Sequence, residues 1–310
     1  MAEGHVLVIG SAATNITALA PEPLLWDSAN LGEVHNSVGG VARNIAENLA
    51  RLEVETLLLT AVGRDVPGRR VIRQSKDRGV NCQHVRAVRD ARTCTVVSVL
   101  KNETAPLLSI SDFAAMEYVD SDYLWKHEPL FEQADMIVID TTLSERALST
   151  LFELVDRYNV RVCADPTSPT LAGRLCDYLP MLYMVAPNAA ETTALCGLPD
   201  PAQTRESAID AARHLVSLGV EIAVVTLGAQ GVAYADGSGA GFIRAVNTKV
   251  VDATGAGDAF SAAVIFGLLN GVQIDEAMRL GMTAAALTLQ STETVLPELS
   301  QELLYDKLVV

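Results

Sequence analysis

Thr248-Lys249-Val250-Val251-Asp252-Ala253-Thr254-Gly255-Ala256-Gly257-Asp258-Ala259-Phe260 carries a strand-like run through a glycine-rich turn into a helix. Thr248–Val251 has strand character, and an apolar helical stretch runs from about Ala259 to Leu269, closed by Asn270-Gly271. The first turn of such a helix presents N–H groups that lack intrahelical acceptors, so an anion can sit there. Gly255 and Gly257, either side of Ala256, let the backbone approach a phosphate closely. Asp258 stands among the same donors, where its carboxylate form is favoured and can accept a proton from a hydroxyl. On these residues alone, a plain helix cap with a glycine turn remains open.

The strand-then-helix order recurs outward from this junction. Val6–Gly10, Leu57–Val62, Met136–Asp140, Val160–Ala164, Tyr183–Ala186 and Ile222–Leu227 are candidate strands, and amphipathic stretches lie between them. Val41, Ile45, Leu49 and Leu52 recur at helical spacing, as do Leu148, Leu151, Leu154 and Val155. The alternation predicts an α/β fold with a mostly parallel sheet and helices on both faces. Two stretches break the rhythm. Thr14–Asn36 is polar and turn-rich, and Arg92–Ile110 reads as a hairpin of Thr95–Leu100 and Leu107–Ile110 around Lys101-Asn102-Glu103. Both are expected to form a small β element outside the main sheet, of the kind that acts as a lid. Small antiparallel elements are marginal alone, so this one is expected to pair with a second copy as a homodimer.

Of the 310 residues 49% are hydrophobic and 20% charged, enough to bury a large core. Length admits two domains or one with a small appendage. The formal charge of −15, with no Lys/Arg cluster, excludes a phosphate-tracking nucleic-acid surface. Cys82, Cys94, Cys163, Cys176 and Cys196 are widely spaced without a C-x-x-C pair, the usage of a reduced compartment. No export signal is read at the N-terminus, and Ala259–Leu269 is too short to span a bilayer. A soluble, cytoplasmic protein without a membrane partner is expected.

A second glycine pair, Val38-Gly39-Gly40-Val41-Ala42-Arg43-Asn44-Ile45-Ala46, opens the Val41–Leu52 helix, with Asn44 in its first turns. The glycines allow a ligand against the backbone, and Asn44 can donate to and accept from hydroxyls. Together the two glycine motifs resemble the paired signatures of the PfkB, or ribokinase-like, carbohydrate and nucleoside kinases. Three further stretches in order are similar to that family's motifs: Val62-Gly63-Arg64-Asp65 with Gly68, Pro187-Asn188-Ala189-Ala190-Glu191, and Val225-Thr226-Leu227-Gly228-Ala229-Gln230-Gly231. The resemblance implies a doubly wound sheet with a β lid, one ribokinase-like domain over residues 1–310.

It also implies transfer of the ATP γ-phosphoryl group to a hydroxyl of a small-molecule sugar or nucleoside. Asp258 would be the base, and the Gly255–Asp258 N–H groups would hold the charge developing on the phosphoryl oxygens. Thr226, Gly228 and Gly231 would line the nucleotide. Asn188 and Glu191 would position Mg²⁺ through its water shell. Asp252 and Thr254 are similar to the pair that supports a monovalent cation, K⁺, in several relatives; as strand-end residues they are equally turn formers. Within the family, Gly39-Gly40-Val41-Ala42-Arg43-Asn44-Ile45-Ala46-Glu47-Asn48-Leu49 is most like the pseudouridine-kinase branch, as are Ile110-Ser111-Asp112 and Asp165-Pro166-Thr167-Ser168. That likeness implies the 5′-hydroxyl of pseudouridine as acceptor, with Asn15, Gly39, Gly40, Arg43, Asn44 and Asp112 around it. Where the family has an Asp that grips substrate hydroxyls, Ala13-Thr14-Asn15 places the neutral Asn15. Ribose- or fructose-like acceptors are the alternative. A non-catalytic sensor would have little reason to keep Asp258. A dinucleotide-dependent oxidoreductase would need G-x-G-x-x-G after the first strand, and Gly10-Ser11-Ala12-Ala13-Thr14-Asn15 lacks it.

Overall fold

Successive side chains of a strand point to opposite faces, and in the central strands of this chain both faces are apolar. Val6, Val8, Met136 and Val138 enter one buried cluster, whereas Leu7, Ile9, Ile137 and Ile139 enter another. Only a sheet covered by helices on both sides buries such runs. The computed structural model, which describes residues 4–20, 23–100, 106–197 and 201–308, has that arrangement. In chain order its strands are β1 (His5–Ile9), β2 (Ala13–Leu19), β3 (Glu33–Gly39), β4 (Thr56–Leu59), β5 (Ala61–Gly63), β6 (Arg86–Val88) and β7 (Cys94–Leu100). They continue with β8 (Pro106–Asp112), β9 (Ala134–Asp140), β10 (Val162–Asp165), β11 (Met184–Val185), β12 (Ile222–Thr226), β13 (Gly231–Asp236) and β14 (Gly239–Arg244).

One sheet runs β14-β13-β12-β11-β10-β9-β1-β4. Its strands are parallel from β4 to β12, and β13 and β14 close one edge antiparallel. The chain proceeds outward from β1 to β4 on one side, then from β9 onward on the other. The order therefore reverses between β1 and β9, and doubly wound sheets bind ligands at the carboxyl ends of the strands there. Helices Val41–Arg51, Ala256–Leu269 and Ile274–Thr288 cover one face; Glu145–Tyr158 and Arg205–Ser217 cover the other. The Ala256–Leu269 helix is apolar nearly all round because it packs between the other two helices of its face. No helix among the described residues is long and apolar enough to cross a membrane.

A separate sheet, β3-β2-β7-β8, forms from the two stretches that broke the βα rhythm, with β2 and β3, and β7 and β8, antiparallel. The turn expected at Lys101-Asn102-Glu103 lies outside the described residues. Three expectations need correction. Leu57–Val62 is two strands, because the Thr60 carbonyl turns to accept from Arg86 N and the chain leaves the large sheet to pair β5 with β6. Thr248–Val251 is no strand; it joins no sheet, and Val251 N donates to Leu289 O instead. The helix after it begins at Ala256, because Gly255 already supplies the left-handed cap at φ 85°. Sequence reasoning passed over β13 although Val232-Ala233-Tyr234-Ala235 is a buried apolar run, and β14 escapes that criterion because Gly239-Ala240-Gly241 has little strand character of its own.

Candidate active site

Two helix starts face each other at the strand reversal. Gly255 has a left-handed backbone, and a Cβ there would stand 1.9 Å from the carbonyl oxygen of Thr294, so the turn accepts only glycine. A Cβ on Gly257, by contrast, would meet nothing within 4 Å. In the first turn of this helix Ala256 N donates to Ala253 O, while the Gly257 and Asp258 N–H groups have no backbone acceptor and Gly257 faces open space. Opposite, Gly40 has φ 97°, and a Cβ would press on Ser11 O at 2.5 Å, which places the Val41–Arg51 helix directly on the chain leaving β1.

Asp258 is 9% exposed, and its Oδ2 accepts from Asn44 Nδ2 at 2.7 Å. Burial raises its pKa to about 7, against the opposing pull of the Asn44 hydrogen bond; the nearby Asp140 and Glu191 carboxylates add to the rise and Arg43 opposes it. A carboxylate poised near neutrality takes a proton in reaction and gives it up afterwards. Asp165 is held well above the usual carboxylate range by burial and by the charges of Asp258, Glu191 and Asp140. Four acids therefore converge here. Among the described residues, no three His, Cys, Asp or Glu side chains close on one point as direct metal ligands would.

Of the residues expected around the acceptor, the structure brings together Asn15, Gly39, Gly40 and Asn44. The Asn15 side chain lies against Gly39, where a Cβ would meet its Nδ2 at 2.4 Å. Asp112 ends β8 at the root of the small sheet, accepts from Ala114 N at 3.0 Å, and lies 3.8 Å from Arg92. Arg43 is a correction. Expected to touch the substrate, it is wholly buried, paired with Glu47 and bonded to Ser75 Oγ at 3.2 Å and Asn44 Oδ1 at 3.0 Å. An i,i+4 carboxylate on the core side of the same helix draws the guanidinium inward.

The motifs expected to line the nucleotide converge on a cavity of about 640 Å³ lined by Thr226, Gly228 and Gly231 together with Ala256 and Gly257. Its remaining walls are mostly apolar, among them Val250, Phe260, Met282 and Leu289. Gly228 and Gly231 both have positive φ, 54° and 123°. Asn188 and Glu191 form a reciprocal cap: Asn188 Oδ1 accepts from Ala190 N and Glu191 N, and Glu191 Oε2 accepts from Asn188 N at 2.9 Å. Asn188 Nδ2 and Glu191 Oε1 take no part in that cap. Thr226 N donates to Pro187 O at 2.9 Å, which ties the two motifs together. Asp252 Oδ1 accepts from Thr254 N at 2.8 Å, so the pair forms a turn.

Sequence reasoning passed over Asp140. It ends β9 fully buried; Oδ2 accepts from Ser11 N at 2.7 Å, Ser11 Oγ at 2.6 Å and Ala42 N at 3.2 Å, while Oδ1 accepts from Thr142 N at 3.0 Å. It clamps the β1 exit to the start of the Val41–Arg51 helix. The signal available was an acid ending the buried run Met136–Asp140, in register with Asp165 on β10.

The geometry joins a buried carboxylate held by an asparagine amide, a glycine-rich helix start beside open space and a largely apolar cavity. The family profile described as pfkB family carbohydrate kinase matches residues 3–301. The pseudouridine kinase of Escherichia coli (strain K12) is 31% identical over 297 residues, covering 96% of this chain and 94% of its own. The guanosine-inosine kinase of Exiguobacterium acetylicum is 30% identical over 297 residues, covering 95% of this chain and 97% of its own. The structure of Arabidopsis thaliana ribokinase complexed with ribose and ATP has the same fold, with a TM-score of 0.85 at 23% identity and 100% coverage of both chains. The chain therefore belongs to the pfkB family of carbohydrate kinases, ATP-dependent phosphotransferases that act on a sugar hydroxyl.

Proposed function

We propose that the acceptor is a nucleoside, pseudouridine first, and that its ribose 5′-hydroxyl receives the γ-phosphoryl group of ATP. The observation that carries the chemical part of this reading is Asp258. It is buried, oriented by Asn44, and set in the first turn of a helix that opens onto the nucleotide-sized cavity. Asp258 takes the hydroxyl proton as the oxygen attacks in line. The N–H groups of Gly255 to Asp258 receive the charge that develops on the phosphoryl oxygens, and such donors cost no reorganisation at the moment of reaction. The adenine would lie against the apolar wall to which Val250, Met282 and Leu289 contribute, with Gly228 and Gly231 giving the phosphates backbone access. Four converging acids suit a hydrated divalent cation, which Asn188 and Glu191 would hold through water. Mg²⁺ supplies, when bound, charge neutralisation across the phosphates.

Two relatives at 30% identity or above carry nucleoside names, which favours a nucleoside over a free sugar. The sealing of Arg43 favours a neutral acceptor over a phosphorylated one, because the cation expected beside the acceptor is spent on Glu47. The small sheet acts as the lid, and its exposed Val34, Leu108 and Ile110 meet a second copy in a homodimer. The enzyme works in the cytoplasm, in keeping with five free cysteines. Potassium at Asp252 and Thr254 is included in this reading.

The test is a phosphotransfer screen of pseudouridine, uridine, guanosine, adenosine, ribose, fructose and fructose 6-phosphate under one ATP and Mg²⁺ concentration, with and without K⁺. Pseudouridine is expected to lead, and fructose 6-phosphate to be inert. Ready turnover of a free sugar with inert pseudouridine would remove the nucleoside assignment and leave the kinase in place.

A further inference from the structure

Resting on the reading of Asp258 as the base, we propose that Arg43 is a positioning residue: its guanidinium fork bridges Glu47 and Asn44 and thereby locks the Asn44 amide with Nδ2 toward Asp258. An asparagine amide has an accepting end and a donating end of nearly equal shape, so its neighbours decide which way it points. A guanidinium only donates. Arg43 NH1 lies 3.0 Å from Asn44 Oδ1, so the end facing Arg43 must be oxygen. The end facing Asp258 is then the NH₂, and it sits 2.7 Å from Oδ2. Flipping the amide would set NH₂ against a guanidinium and oxygen against a carboxylate, and both contacts would be repulsive. The fork therefore keeps a donor, not an acceptor, on Asp258 Oδ2 and so steadies the carboxylate with Oδ1 toward the hydroxyl.

The fork is itself fixed from behind. Arg43 NH2 pairs with Glu47, and Nε donates to Ser75 Oγ at 3.2 Å. Glu47, wholly buried, also receives Arg78 NH1 at 2.8 Å and Arg51 NH2 at 3.1 Å through its other oxygen. A buried ion pair is often no more stabilising than apolar residues of the same volume, so its stability alone does not account for it. With three arginines on one carboxylate, removing Arg43 still leaves Glu47 paired with Arg51 and Arg78, so the network tolerates that loss without stranding a buried charge.

This separates the two roles experimentally through a double-mutant cycle on kcat with Arg43→Met, Asn44→Ala and the double variant, each checked by thermal unfolding. Arg43→Met is expected to lower kcat roughly 10- to 100-fold, as small misplacements of reacting groups do, with the KM for ATP within about twofold. In the Asn44→Ala background, Arg43→Met is expected to cause no further loss. An equal loss in both backgrounds, or a wild-type kcat in Arg43→Met, overturns the proposal. Should Arg43→Met not fold, Arg43→Lys replaces it: a single ammonium keeps the charge but cannot bridge Glu47, Ser75 and Asn44 together. A wild-type kcat in Arg43→Lys then overturns the requirement for the fork. Asp258→Asn serves as the control. If that variant turns over normally the base assignment itself falls, whereas an inactive Asp258→Asn with an additive cycle removes only the role given to Arg43.

Discussion

The two halves of the cleft are built by opposite means. The half we assign to the acceptor is a dense set of buried polar side chains, Asp140, Asn44, Arg43, Glu47 and Asp258, each tied by hydrogen bonds to its neighbours. The half we assign to the nucleotide presents backbone and apolar side chains around an open cavity, with glycines at Gly228, Gly231 and Gly257. The difference follows from the task. Moving a proton needs one atom held in one direction, which only an over-determined side-chain network provides. Holding a nucleotide needs N–H groups and a slot, and those come from chain path.

The sharpest way to break this contrast is at Asp258. Asp258→Asn keeps the shape but cannot take a proton at neutral pH, so kcat is expected to fall ~10²–10⁴-fold while the KM for ATP stays within about twofold. A general loss of ATP binding would mean that the acceptor half also builds the nucleotide half.

The glycines test the other side. Gly255→Ala forces a Cβ to 1.9 Å from the Thr294 carbonyl at a left-handed φ and is expected to lower the melting temperature by several degrees. Gly257→Ala meets no neighbour, so the fold should hold while its methyl group enters the phosphate space; the KM for ATP is expected to rise about tenfold, with little change for the acceptor. Equal changes in both KM values would place Gly257 outside the nucleotide half.

The smallest effect is read by pH. Burial lifts Asp258 to about 7 from an ordinary carboxylate value, so kcat/KM should climb about tenfold per unit below pH 7 and level above it. The same shift marks stability. The folded state binds this proton more tightly than the unfolded chain, so the contribution is fully present below about pH 4 and is lost as pH rises through about 7. Asp258→Asn is therefore expected to unfold at a higher temperature than wild type at pH 8, with the gap closing toward pH 4. A gap that widens toward acid would show that Asp258 is held ionised.

Much of this was legible in residue order. Alternating apolar strands and amphipathic helices are local periodicities, so the βα rhythm, the Val41 and Glu145 helices and both glycine turns could be read directly. The departures arose where partners decide. Leu57–Val62 is one apolar run by composition, but it splits because Thr60 bonds to Arg86, and Thr248–Val251 has strand-forming residues but no strand beside it. Arg43 illustrates the same limit at the site. Sequence placed it beside Asn44, yet whether a guanidinium faces substrate or core depends on Glu47, Ser75 and Arg78, whose side chains converge only after the Val41–Arg51 and Val66–Asp77 helices pack. Asp140 likewise acquires its meaning from Ser11 and Ala42, far from it along the chain. By itself the sequence determined most of the parallel strands, the helices that cover them and the two glycine turns, because those choices follow from near neighbours. Tertiary structure alone decided which polar atoms meet, because hydrogen bonds between distant residues exist only once the sheet and its helices have closed on one another.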